Sequence, residues 1–281
     1  MYVTTRPIAD PEELLSRLPR TNPLAWVRDG EGLIGWGVAA RLEVRGNERF
    51  SRTQRWWATL CHSLEIDDTV SMPGTGPVAF GSFAFDPEYG SSIVVVPQVV
   101  VGRRGGQAWM TVISPEPTVR PAVPPTSVPE PPTSVEWRDG SRTSEDWKRS
   151  VAEAVERIRG GELDKVVLAR DAVAEVDGQL DSRALLLRLA ESYPSCWTFC
   201  VDGLIGATPE LLVRRTGDLV TSRVLAGTVR RRGDDQTDAG LARALMASDK
   251  DAEEHEYAVH SVAKALAAHC TDLEVPVRPH V

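Results

Sequence analysis

A chain of 281 residues with an ordinary apolar share is long enough to bury a substantial core, as one large domain or two smaller ones. Its 40 acidic residues against 32 lysines and arginines leave a formal charge of −8, which argues against general attraction to nucleic acid or to an anionic membrane. A bound anion therefore needs local positive help, and with no stretch long and apolar enough to span a bilayer and no basic-then-apolar start, the expectation is a cytoplasmic protein.

Taken in order, Leu24-Ala25-Trp26-Val27, Asp29-Gly30 and Leu33-Ile34-Gly35-Trp36 read as a hairpin with tryptophans on its strands. Further antiparallel strands are expected in 77–86, 92–101 and 109–113, each bounded by Gly, Pro or Asp. Proline recurs through 114–134 too often for a helix or a central strand, so this stretch reads as an exposed connection. Thr143 and Asp146 form a capping box for a helix whose apolar stripe is Trp147, Val151, Val155 and Ile158, ended by Gly160 and Gly161. The run Asp164 to Arg170 alternates so that both faces are largely apolar, which predicts a strand inside a sheet with Lys165 at its mouth. Asp181 caps a short helix carrying Leu185, Leu186 and Leu189. Strands then follow over 197–201, 204–206, 210–213 and 219–224. The chain continues in two helices, one from about Asp235 to Ala247 and one opened by Ser248 with Asp251 as its capping partner.

Several of these residues carry chemical potential. An amine at the start of a buried strand is either a snorkelling end residue or a group whose pKa is lowered for proton transfer. In the last helix the stripe Val259, Val262, Ala263 and Leu266 steps back onto His255, with Glu254 beside it. An inward carboxylate there calls for a metal, a basic partner or the helix dipole. Glu210 follows Thr208-Pro209, where proline fixes the backbone; it is either a solvated turn residue or an aimed acid. Gly227, within Leu225-Ala226-Gly227-Thr228, allows either a tight turn or close backbone approach to a ligand oxygen. Cys61, Cys196, Cys200 and Cys270 lack the second cluster or nearby histidine of a zinc site and read as reduced structural thiols. No nucleophile elbow, P-loop or dinucleotide fingerprint is present.

Together, Lys165 to Arg170, Gly206 to Glu210, Leu225 to Thr228 and Lys250-Asp251-Ala252-Glu253-Glu254-His255 occur in the order and spacing of the chorismate-utilising enzymes. The chain most resembles the isochorismate synthases among them, from about Phe80 onward and most strongly after Thr143. The resemblance implies an α/β (α+β) fold, a single large domain over 1–281 in which antiparallel sheets flanked by helices hold the site between them.

It also implies the chemistry: an isomerase transferring a hydroxyl within chorismate. Lys165 is the implied base that activates water for attack at C2, and Glu210 the acid that protonates the departing C4 hydroxyl. Glu254 is the implied Mg2+ ligand, the metal binds the ring carboxylate, and Ala226, Gly227 and Thr228 help hold the substrate. The isochorismate and salicylate members carry a lysine where Lys165 stands, which implies water as the nucleophile; aminodeoxychorismate synthases that form a covalent adduct carry lysine where this chain has Ala226, which disfavours that mechanism, and no glutaminase subunit is expected. The product would serve menaquinone or siderophore synthesis. Family chains continue well past the point matching Val281 and supply a second glutamate to the metal and an arginine to a substrate carboxylate. The expectation is a domain lacking its C-terminal portion, unstable alone. Salicylate synthase, which shares the lysine, acid and metal set and then eliminates pyruvate, is the rival enzyme, and a non-catalytic remnant the rival of another class.

Overall fold

The computed structural model describes residues 1–117, 122–276 and Pro279. They fall into two compact units, Met1–Ala207 and Thr208–Val281.

The first unit begins with β1 (Tyr2–Pro7), a 3-10 turn (Leu15–Arg17), β2 (Leu24–Arg28), β3 (Glu31–Trp36), β4 (Ala40–Val44), α1 (Arg49–His62) and β5 (Glu65–Asp68). It continues through β6 (Phe80–Ser82), β7 (Ser92–Val96), β8 (Val99–Arg104), β9 (Gln107–Ser114), β10 (Val135–Asp139), α2 (Ser144–Arg159), β11 (Ala172–Val176), α3 (Ser182–Ser192), β12 (Trp197–Val201) and β13 (Leu204–Thr208). An eight-stranded sheet runs β13-β12-β2-β3-β8-β9-β1-β5, and a three-stranded one runs β4-β7-β6. The recorded pairings are antiparallel apart from parallel β1–β5. This is the mixed α and β, antiparallel-sheet architecture expected from the sequence.

The core forms where alternation delivers one apolar face. Val99 and Val101 of β8, Met110 and Val112 of β9, and Ile34 of β3 meet Leu14, Leu15 and Leu18 around the 3-10 turn and Leu186 of α3. Gly102 of β8 lies opposite Trp109 of β9, and the indole fills the space a side chain would need: a Cβ on Gly102 would stand 2.2 Å from the ring. The indole N–H donates to the Gly74 carbonyl at 3.1 Å, so the buried ring is satisfied as well as packed. Helix α1, which the sequence reading did not anticipate, rests Trp56, Trp57 and Leu60 on Val3, Val96 and Ile113.

Caps hold where they are expected. Thr143 Oγ1 accepts the Asp146 N–H at 3.1 Å, and Asp181 accepts the Arg183 N–H at 3.1 Å. Of the proline-rich stretch 114–134, residues 118–121 lie outside the described residues. The remainder is mostly exposed but pinned at Ser127, whose N–H donates to the Ser16 carbonyl at 3.1 Å and whose hydroxyl accepts from Arg183 at 2.6 Å.

One expectation fails. Residues 164–170 form no strand and are exposed, Val167 to 80%, and among the described residues no strand pairs with them. Apolar alternation marks a segment able to be buried, but a strand exists only where a neighbour takes its N–H and C=O groups.

The second unit holds β14 (Leu211–Thr216), β15 (Leu219–Arg223), α4 (Asp235–Met246) and α5 (Asp249–Ala267). β14 and β15 form an antiparallel hairpin turned at Gly217, and Ser248 caps α5 by accepting the Asp251 N–H. Along α5, Val259, Val262, Ala263 and Leu266 keep the more buried stripe that the sequence assigned them, each only partly covered. No helix among the described residues is long and apolar enough to cross a membrane.

Candidate functional site

The chain leaves β15 at Arg223 and turns through Val224–Val229 to run back toward α4. Gly227 makes that turn in the left-handed region, φ +78°, where an L side chain is strained. It also sits close to the helices: a Cβ there would lie 3.3 Å from Asp251 Cβ and 3.4 Å from Leu245 Cδ1. Glycine is required twice over, by backbone conformation and by proximity.

This turn forms one wall of a cavity of about 570 Å³. Ala226, Gly227 and Thr228 line it on one side, Leu241 and Leu245 of α4 on another, and Asp251 and His255 of α5 close it. Asp251 and His255 are four residues apart and so share a helix face. The volume suits a small molecule, and the lining combines apolar surface with a few polar groups. The cavity thus unites the three residues assigned to substrate binding.

The other sequence-derived residues lie as follows. Glu254 is half-buried on α5, one residue before His255, and is not among the residues lining the cavity. Glu210 precedes β14 and is exposed, its N–H donating to Thr208 Oγ1 at 3.2 Å, so the local turn fixes its backbone while its carboxylate meets solvent. Lys165 belongs to the first unit, on the exposed segment described above, rather than at the mouth of a buried strand. Among the described residues no three His, Cys, Asp or Glu side chains converge as a metal cluster.

Sequence reasoning missed charged groups at the cavity. Arg230, Arg231 and Arg232 follow the turn, a local positive run in an acidic chain, and Arg231 and Asp238 both line the cavity. Asp238 Oδ1 accepts the Arg232 N–H at 2.7 Å, and Oδ2 accepts Arg231 Nε–H at 3.0 Å. The bond from the Arg232 amide, helped by Arg231, holds the Asp238 carboxyl below the usual carboxylate range, against the opposing effect of burial. The available signal was an aspartate in the first turn of a helix that follows three arginines and a glycine.

The first unit has a separate cavity of about 450 Å³ beside the 3-10 turn and α3, lined in part by Val27, Leu187 and Thr198. None of the residues singled out for catalysis, substrate or metal lines it. Cys200 packs in the core from β12, where burial pushes its thiol up to about 11 and disfavours the thiolate.

Comparison with known proteins gives these features a setting. A family described as chorismate binding enzyme matches residues 7–281. The salicylate biosynthesis isochorismate synthase of Pseudomonas aeruginosa is 29% identical over 290 residues, which take in 92% of this chain and 60% of that protein. Isochorismate synthase EntC of Escherichia coli is 36% identical over 140 residues, 48% of this chain and 36% of EntC. Among solved structures, MenF, the menaquinone-specific isochorismate synthase of Escherichia coli, superposes with a TM-score of 0.72 at 23% identity over 95% of this chain and 64% of that one, a likeness of fold. In each case this chain spans less than two thirds of the relative's length.

Proposed function

The chain belongs to the chorismate-binding enzyme family, and on that premise we propose that it carries the amino-terminal and central part of an isochorismate synthase. The reaction is replacement of the C4 hydroxyl of chorismate by a hydroxyl at C2. Water adds its oxygen to C2, the ring double bonds shift, and the C4 hydroxyl leaves as water after taking a proton. Lys165 is assigned as the base that removes the proton from the attacking water, and Glu210 as the acid that donates one to the leaving group. The backbone at Gly227 and Thr228 holds the substrate, with Ala226 beside them.

The observation that carries this reading is the cavity itself. The turn that contains Ala226, Gly227 and Thr228 is bent by a left-handed glycine against the first turns of the helix that bears Glu254. A glycine turn lets main-chain groups approach a ligand oxygen closely, and the acidic residues of the facing helix suit an anionic ring when a cation bridges the two. A carboxylate suits magnesium, a hard cation often held by one or two protein oxygens with water and substrate supplying the rest, so Glu254 is the residue assigned to hold it. When bound, magnesium would neutralise a substrate carboxylate; a cytoplasmic location suits such small-molecule chemistry.

The deciding experiment is a chorismate turnover assay with and without magnesium, its products separated by chromatography. It is run on this chain and on any longer product of the same gene. Isochorismate, lost on Lys165→Ala and on adding excess chelator, is the expected result. Salicylate with pyruvate would assign the rival enzyme. Absence of turnover from both forms at saturating chorismate would leave a family member without the chemistry.

A further inference from the structure

The loop that follows the cavity's glycine turn is held by one carboxylate, which itself lines the cavity. Between two left-handed glycines, Gly227 (φ +78°) and Gly233 (φ +83°), runs a loop with three consecutive arginines. Glycine pivots at both ends and like charges between them give such a loop little reason to keep one conformation. Asp238 supplies that reason. Its Oδ1 accepts the Arg232 N–H at 2.7 Å, while Oδ2 accepts Arg231 Nε–H at 3.0 Å and the Gly233 N–H at 3.4 Å. The Asp238 side chain is 10% exposed, so its oxygens are largely shielded from water, although the Arg231 side chain that meets it is open to solvent.

The direction of support is set by the helix. Asp234 caps α4, accepting the Thr237 N–H at 2.8 Å, and its carbonyl accepts the Asp238 N–H at 2.8 Å. Asp238 is therefore fixed by its own helix and the loop is fixed to it. Arg231 spends only Nε on the pair, its other N–H donors lie on the same planar group, and the residue lines the cavity.

We infer that Asp238 is a positioning residue for substrate binding: through Arg231 and the Arg232 and Gly233 amides it holds the loop, and with it the Gly227–Thr228 backbone, in the shape that receives chorismate. This rests on the reading that the cavity takes chorismate. The three arginines of this loop bring local positive charge beside the cavity in an otherwise acidic chain, which fits a dianionic ligand, and the clamp ties the Arg231 guanidinium, 81% exposed, to the solvent side of that cavity.

Asparagine is the discriminating replacement. The clamp serves three donors with two oxygens, and Asn has only one oxygen, so whichever way its amide turns an NH2 faces an N–H. Glutamate keeps both oxygens one methylene further out. The chain, Asp238→Asn and Asp238→Glu are compared by amide hydrogen exchange, by thermal melting, and by calorimetric titration with chorismate and magnesium. In Asp238→Asn the Arg232 and Gly233 amides should exchange about tenfold faster or more. Chorismate affinity should fall about tenfold with the melting temperature little changed, and Asp238→Glu should recover part of both effects. A merely structural role would lower the melting temperature and leave the affinity of the folded protein alone. Unchanged amides, or faster amides with unchanged affinity, overturn the inference. Should Asp238→Asn not fold, Asp238→Glu decides by the same readouts with smaller changes. An unaltered chain that does not bind chorismate refutes the proposed function instead, and with it the ligand assigned to the clamp, while the exchange rates still report whether the clamp exists.

Discussion

Replacing Gly227 by alanine tests the cavity wall with a magnitude set in advance. At φ +78° an L residue pays roughly 1–2 kcal/mol against its preferred backbone. The new Cβ would also stand 3.3 Å from Asp251 Cβ and 3.4 Å from both Asp251 Oδ1 and Leu245 Cδ1, which is tight against one atom and ordinary contact with the others. Small shifts of α5 absorb that crowding at a few tenths of a kcal/mol, so backbone strain dominates. Gly217, at the β14–β15 turn in the same unit, has φ +60° and nothing within 4 Å of an added Cβ, so Gly217→Ala measures the strain alone. Urea unfolding should show both variants destabilised by about 1–2 kcal/mol, whereas chorismate affinity should fall only in Gly227→Ala, by roughly 5–30-fold if the strain is released by moving the loop. Equal affinity in the two variants would refute the placement of Gly227 at the substrate, and unchanged stability in both would refute the strain argument.

Other expectations follow from groups in the first unit. Among the described residues the buried Thr198 hydroxyl has no hydrogen-bond partner, so Thr198→Val should be neutral or stabilising by about 1 kcal/mol in urea unfolding, and a clear loss would mean the hydroxyl has a partner. Arg183, bonded to Asp181, holds Asp181 below its ordinary pKa, and both side chains are nearly covered. A depressed carboxylate stabilises the fold above its unfolded pKa of about 3.9 and loses that contribution as pH falls through the lower folded value. Asp181→Asn should therefore cost about 1.5–3 kcal/mol at pH 7, and its difference from the unaltered chain should shrink below about pH 4. A difference independent of pH would show that the charge contributes nothing. Finally, Gly102→Ala should lower stability by at least 1–3 kcal/mol, since the added Cβ meets the rigid Trp109 ring at 2.2 Å; a melt like that of the unaltered chain would mean β8 and β9 yield more easily than their packing implies.

Motif order carried the family, and short-range chemistry carried most elements. Thr143 with Asp146, Asp181 with Arg183, and Ser248 with Asp251 are caps whose donors and acceptors lie within one helical turn, so the residues alone determine them. The β2–β3 hairpin was equally legible from Asp29-Gly30 between apolar runs. Gly227 belongs here too, because a left-handed turn leaving a buried-looking strand needs glycine whatever surrounds it.

Tertiary structure alone decided the rest. The order β13-β12-β2-β3-β8-β9-β1-β5 brings distant segments together and puts β1 beside both β9 and β5, which no local pattern encodes. The run Val166, Val167 and Leu168 has the pattern of a buried strand and is exposed, because burial depends on a neighbour and among the described residues no strand pairs with it. Caps and turns are settled by residues that chain connectivity keeps close, whereas strand pairing and burial depend on which remote groups the folded chain brings within reach.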